Sequence, residues 1–307
     1  MSAGTALAPS GEQFELVAGD QRLVVVEVGA GLRTYAAGDR ELLDGYARDA
    51  MCASGRGQLL LPWPNRIEDG TYEFDGRTHR LPLTEPSAHN AIHGLVRWAA
   101  WTATEREAHR IVMRHRLNPQ PGYPFALDLA VAYELSDRGL GVRTTATNVG
   151  AAAAPYGCGA HPYLRLGSDG VDPLVLHVPA RAVAISNARG LPERTEAVDG
   201  TELDFREPRA IGATVLDNAF TELERDADGV ARARVEDPRS GDSVALWVDE
   251  TYSYLMVFTG DPLPDVARRS LAIEPMTCPP NAFRSGESLF RLDPGKSVTT
   301  AWGIDPF

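Results

Sequence analysis

Phe125-Ala-Leu-Asp-Leu-Ala-Val-Ala-Tyr-Glu-Leu-Ser136 alternates large apolar side chains with small or polar ones along its whole length. Phe125, Leu127, Leu129, Val131, Tyr133 and Leu135 fall on one face; Ala126, Asp128, Ala130, Ala132, Glu134 and Ser136 fall on the other. A period of two is a half-buried β-strand, whereas a helix would scatter the same apolar groups around its circumference. Working outward, Ile111–Leu117, Val142–Thr147 and Val244–Val248 repeat the pattern. Leu23–Val28, Leu174–Val178 and Tyr254–Phe258 are nearly continuous apolar runs rich in β-branched and aromatic residues, which predicts more deeply buried strands.

Asp-Gly pairs at 69–70, 75–76, 169–170, 199–200 and 228–229 supply the positive φ that tight hairpins need, most clearly within Tyr72–His79. No helical period of convincing length is present; Tyr46–Ser54 has room for a turn or two. Glycine and proline are spread along the chain, and Ala151–Ala154 is too short to part domains. The expectation is an all-β, mainly antiparallel architecture in a single domain over residues 1–307.

At 307 residues and 43% hydrophobic, the chain can bury a large core. Thirty basic against 42 acidic side chains give a net charge of −12, which argues against nucleic acid or an anionic membrane as partner. Cys52, Cys158 and Cys278 are odd in number and widely spaced, as in a reducing compartment without a disulfide framework. The first residues lack the basic and apolar regions of a signal peptide, and no apolar run reaches the ~18–20 residues of a membrane helix. A cytoplasmic protein is expected.

His115 and His177 keep the register of apolar strands and are expected beneath sheets; His79, His89 and His109 are expected in solvent. His93 stands beside Gly94, where a missing Cβ permits close approach. His161 lies in Gly157-Cys-Gly-Ala-His-Pro-Tyr163, with glycines expected to keep room around the ring and Pro162 holding it extended. Glu274 ends the apolar stretch Leu271-Ala-Ile273 before a proline-rich loop; partial desolvation there would raise its pKa towards that of a general base. In Leu59-Leu-Leu-Pro-Trp-Pro-Asn-Arg-Ile67, Trp63 with Asn65 and Arg66 could recognise a sugar or form a buried turn. Asp217 precedes Asn218-Ala-Phe220. Motifs for serine hydrolases, zincins, P-loops and dinucleotides are absent, and His and Cys spacings suggest no metal.

In order, Asn65-Arg66-Ile67, the hairpin after Gly70, His93-Gly94, His161-Pro-Tyr163, Asp217-x-x-Phe220 and Glu274-Pro275 resemble the aldose 1-epimerase (galactose mutarotase) family over residues 20 to 305. The resemblance implies a β-supersandwich and an isomerase that interconverts α and β anomers of a free sugar without cofactor. By that resemblance Glu274 looks like the general base and His161 like the general acid, acting from opposite sides of the pyranose. Arg66, His93 and Asp217, with Asn65 beside them, look like residues that hold sugar hydroxyls. Arg97 after His93, Arg165 after His161, and the prolines before Asn65 look closer to a bacterial branch that includes sulfoquinovose mutarotases. With Arg284, these arginines raise the expectation of an anionic sugar. The alternative class is a non-catalytic sugar-binding or sensor protein on the same fold.

Overall fold

The computed structural model describes residues 7–167 and 170–307; the turn expected at Asp169-Gly170 reaches outside the described residues. Among the described residues the chain is antiparallel β-sheet throughout, built round a nine-stranded and an eight-stranded sheet. Strand Leu127–Ser136 lies inside the larger sheet between Arg110–Leu117 and Gly139–Asn148. Its alternation is as expected: Leu127, Leu129, Val131, Tyr133 and Leu135 are buried. The C-terminal strand Ser297–Pro306 closes onto Gly139–Asn148 and joins it to Ser243–Val248.

The inward faces of both sheets feed one continuous apolar core, in which Tyr133, Val142, Leu246 and Trp302 share a cluster with Val183, Phe220, Leu255, Val257 and Ile273. Two large antiparallel sheets over one shared core make a β-sandwich. The Asp75-Gly76 hairpin forms between Thr71–Phe74 and Arg77–Arg80, both turn residues taking positive φ. Among the described residues helix is confined to one α turn at Ala282–Ser285 and one 3₁₀ turn at Pro86–Ala88; residues 46–54 contain turns but no helix. No helix among the described residues is long and apolar enough to cross a membrane.

Three histidine expectations change. His177 is half-buried and alternates outward from the buried Leu176 and Val178, on the face away from the core. His79 is stacked on Tyr72 at 4.9 Å and leans on Phe125, so its ring is packed against aromatics. His115 is half-buried at a sheet margin, tilted against Trp101.

Candidate functional site

Strand Leu271–Met276 is fully buried, pairs on one side with Tyr254–Phe258, and has two faces of opposite character. Leu271 and Ile273 point into the main core, whereas Glu274 and Met276 point the other way. On its second side, Gly159 faces Met276 and Tyr163 faces Ala272. Carried through, that register sets His161 directly opposite Glu274, with Pro162 interrupting the ladder between the two short strands. Their side chains meet with His161 Nε2 3.4 Å from Glu274 Oε1. Glu274 therefore sits within a central strand, not at a strand end, because the strand continues through Pro275 to Met276.

Asp217 begins the strand Asp217–Leu223, two strands across from Glu274 in the same sheet. Its alternation partner Ala219 joins Ala184, Tyr254, Met256 and Met276 in a five-residue apolar patch separate from the main core. Glu274, His161 and Asp217 thus rise from the outer face of the eight-stranded sheet over a small floor of its own.

Burial drives Glu274 well above the usual carboxylate range, Asp217 adding to the rise and Arg66 opposing it. Glu274 Oε2 has no hydrogen-bond partner. His161 is held down to about 3, by burial first, with the charges of Arg97 and Arg56 contributing. Burial thus disfavours the charged form of both partners and biases the pair towards a protonated carboxyl facing a neutral imidazole. Two heteroatoms share one proton, and each can give or take it.

Room for the His161 ring comes from Gly55, where a Cβ would lie 2.8 Å from the imidazole Cδ2. The glycines expected to do this serve other neighbours: Gly157 admits Cys278 Sγ and Gly159 admits Pro64. The imidazole stacks on Tyr163 at 4.8 Å and 13°.

His93 presents its ring edge to His161 at 5.4 Å and 73°. It is clamped by Asn65, whose backbone N–H donates to His93 Nδ1 (3.2 Å) while the His93 N–H donates to the Asn65 carbonyl (2.9 Å). Both residues take positive φ. The close approach at Gly94 is made by the Leu61 carbonyl, a backbone constraint that fixes His93 in place. His93 is pushed well below the ordinary imidazole range by burial, with the neighbouring His161, Arg97 and Arg66 adding.

His93, His161 and Glu274 also offer ligand atoms within 4.8 Å of one another, a grouping invisible in their spacing along the chain. The tautomer speaks against a resident ion. His93 Nδ1 accepts the Asn65 N–H, so Nε2 carries the ring proton and cannot ligate, whereas a metal-bound histidine donates from its outer nitrogen. The arrangement fits a hydrogen-bond donor for a ligand oxygen.

Arg66 is pinned by Glu85 through Nε (2.9 Å) and Nη2 (3.0 Å), and Gly190 packs so closely that a Cβ there would collide with the guanidinium. Arg66 lies within electrostatic reach of both Asp217 and Glu274. Asp217 keeps an open surface to solvent yet is crowded by protein, which raises its carboxyl against the pull of Arg66. Asn65 is buried, its carboxamide oxygen taken by the Arg66 N–H (2.9 Å). Trp63 is in the core against Phe283, so for the tryptophan the buried turn is the reading observed.

The three arginines separate. Arg165 pairs with Glu41, and Arg284 with Glu68 and Asp69. Arg97 has no carboxylate within ion-pairing distance among the described residues; its Nη1 donates to Gln58 Oε1 at 3.3 Å. Residues that sequence reasoning missed are Gly55, Arg56 and Glu85. The run Ser54-Gly-Arg-Gly57, two glycines enclosing a guanidinium just before a strand, was the available signal for the first two.

A family model described as aldose 1-epimerase matches residues 12–304. The uncharacterized protein YihR of Escherichia coli K12 is 36% identical over 94% of this chain and 91% of its own. A GalM/aldose epimerase homologue from C. elegans superposes with a TM-score of 0.86 at 19% identity, over 96% of this chain and 98% of its own. A galactose mutarotase-like protein from Clostridium acetobutylicum superposes with a TM-score of 0.84 at 20% identity, over 95% and 94%. At those identities the superpositions speak to fold alone.

Proposed function

Because the chain belongs to the aldose 1-epimerase family, we propose that it interconverts the anomers of a free aldose by acid–base ring opening, with Glu274 and His161 as the proton-transferring pair. The observation that carries this reading is the buried pair itself, 3.4 Å apart, with burial opposing the charged form of each partner. Ring opening removes the proton from the anomeric hydroxyl and delivers one to the ring oxygen. Both oxygens are bonded to C1, so acid and base belong side by side, not on opposite sides of the sugar. Once the proton has passed from Glu274 to His161 across their contact, Glu274 takes the anomeric proton and His161 gives one to the ring oxygen. This leaves Glu274 protonated and His161 neutral, the state that burial favours. Rotation about C1–C2 and the reverse transfers close the ring on its other face. The proton count of the pair is unchanged over the cycle, and each group of this kind typically supplies about 10²–10⁴-fold. His93, through Nε2–H, Asp217 and Arg66 hold sugar hydroxyls around this pair, while Asn65 acts through its backbone by fixing His93.

The test is polarimetry on a freshly dissolved single anomer. Accelerated decay to the equilibrium rotation supports the enzyme; saturable binding without acceleration identifies the sugar-binding or sensor alternative.

Arg97 favours a second, narrower reading. An uncompensated guanidinium in a chain of net charge −12, close enough to lower both site histidines, suits an aldose with a sulfonate or carboxylate at C6. Comparing kcat/KM for sulfoquinovose, glucuronate, galactose and glucose at low and high salt decides it. Preference for neutral sugars without salt dependence refutes the anionic reading and leaves the mutarotase one standing.

A further inference from the structure

Behind the site lies a layered arrangement that the acid–base chemistry does not itself use. Asp44 is buried, and its Oδ2 accepts from Arg56 Nε and Nη2 (both 3.2 Å), from Arg269 Nε and Nη2 (3.1 and 2.9 Å) and from Ser270 Oγ (2.8 Å). The Arg56 guanidinium, fixed this way, packs over the Tyr163 ring with Cζ 4.7 Å from its centroid. The same ring carries the His161 imidazole, nearly parallel, and the Tyr163 hydroxyl is tied to the Ser54 carbonyl at 3.1 Å. Gly55 between Ser54 and Arg56 is the residue that leaves room for the imidazole. One short segment therefore holds the tyrosine at its hydroxyl and on its ring, and clears the space for the histidine.

We propose that Arg56 is a positioning residue for His161: anchored by Asp44, its guanidinium fixes the Tyr163 ring on which the imidazole rests. The side chain is almost wholly buried and turned to Asp44, so it has no surface to offer a sugar. The groups facing His161 are Glu274 across the ladder, His93 at its edge, Tyr163 on its face, and Arg97 and Arg56 as nearby charges. Arg56 thus acts twice. It restricts the angle at which Nε2 meets Glu274, and it adds positive potential that keeps the ring neutral until a sugar is bound. This rests on the proposed role of His161.

The test uses the full chain carrying Arg56→Met or Arg56→Lys, read in two ways. The His161 imidazole is followed by NMR against pH without sugar, assigned by comparison with His161→Asn, and anomer exchange is measured for kcat and KM. Asp44 keeps Arg269 and Ser270 in either variant, so the fold is expected to survive. For Arg56→Met, kcat falls about 10-fold with KM within about 2-fold, as for a displaced catalytic group. His161 then takes up its proton at a higher pH than in the parent, the sense expected when a nearby positive charge is removed. Arg56→Lys keeps the charge without the flat guanidinium, so His161 titrates as in the parent while kcat recovers only in part. A folded Arg56→Met with unchanged titration and kcat overturns the proposal, as does a rise in KM alone. Should Arg56→Met not fold, Arg56→Lys decides: parental kcat overturns the fixed-ring role. If the parent exchanges no anomers, the mutarotase reading fails and the titration still judges the positioning role.

Discussion

Replacing Glu274 by Gln should make the protein more stable, and only above the pH at which an ordinary carboxyl ionises. In the folded chain Glu274 keeps its proton to a pH well above 4.5, whereas in the unfolded chain it releases it near 4.5. A raised folded pKa contributes stability that is complete below the unfolded value and is lost as pH rises towards the folded one. Each pH unit in that window costs about 1.36 kcal/mol. Between 4.5 and pH 7 the loss approaches about 3 kcal/mol, an upper limit reached by a carboxyl still fully protonated in the fold. Gln is nearly isosteric, offers an N–H towards His161 as the protonated acid does, and has nothing to ionise. At about 2 cal/mol/K of unfolding entropy per residue, 307 residues give about 0.6 kcal/mol per degree, so the gain corresponds to as much as about 5 °C in Tm. The assay is chemical or thermal unfolding of both proteins from pH 4.5 to 8. The difference should be near zero at pH 4.5 and grow with pH. A difference that is flat with pH, or a variant that loses stability as pH rises, would show Glu274 ionised in the fold and refute the neutral-pair account.

The same variant should lose about 10²–10⁴-fold in kcat, and retained activity would remove Glu274 from the chemistry. His161→Asn should abolish most activity and His93→Asn less, since only His161 meets Glu274 in register; equal losses or the reverse order would exchange their roles. The pH profile of kcat/KM should be a broad plateau: the pair works while it holds one proton, so the acid limb lies near the depressed value of about 3 for His161. An acid limb near 6.5 would mean an ordinary imidazole. Activity should survive exhaustive chelation, given the tautomer of His93, and a loss restored by one divalent ion would contradict that reasoning.

Strands are legible wherever one face is buried and the other wet, as in Leu127–Ser136, because a period of two leaves a local trace. The site residues are legible one at a time, as short segments in a recognisable order. Their mutual placement is not. His161 meets Glu274 through a ladder between segments more than a hundred residues apart, and no local pattern encodes that register. The same gap explains two details that differ. The glycines flanking His161 look like the source of space that Gly55 in fact provides, and Trp63 resembles a sugar platform because nothing local announces Phe283 beside it. The ladder also sets His161 and Glu274 beside one another on one face of the sheet, a placement that no local pattern announces.

Strand Leu271–Met276 is one ribbon doing two jobs, with Ile273 in the core and Glu274 on the outer face as consecutive residues. A slip of one residue reverses every side chain in a strand. Deleting Leu271 or Ala272 would therefore send the carboxylate into hydrocarbon and Ile273 to the outer face. Substitution and deletion consequently differ in what they cost here. The outer-face residues Ala184, Ala219 and Met256 can change and reshape the cleft while the inward face holds the sheets together. Change in chain length along this strand cannot be absorbed. Descendants of this chain are free to exchange side chains on that outer face, and are held to a fixed count of residues along the strand that carries Glu274.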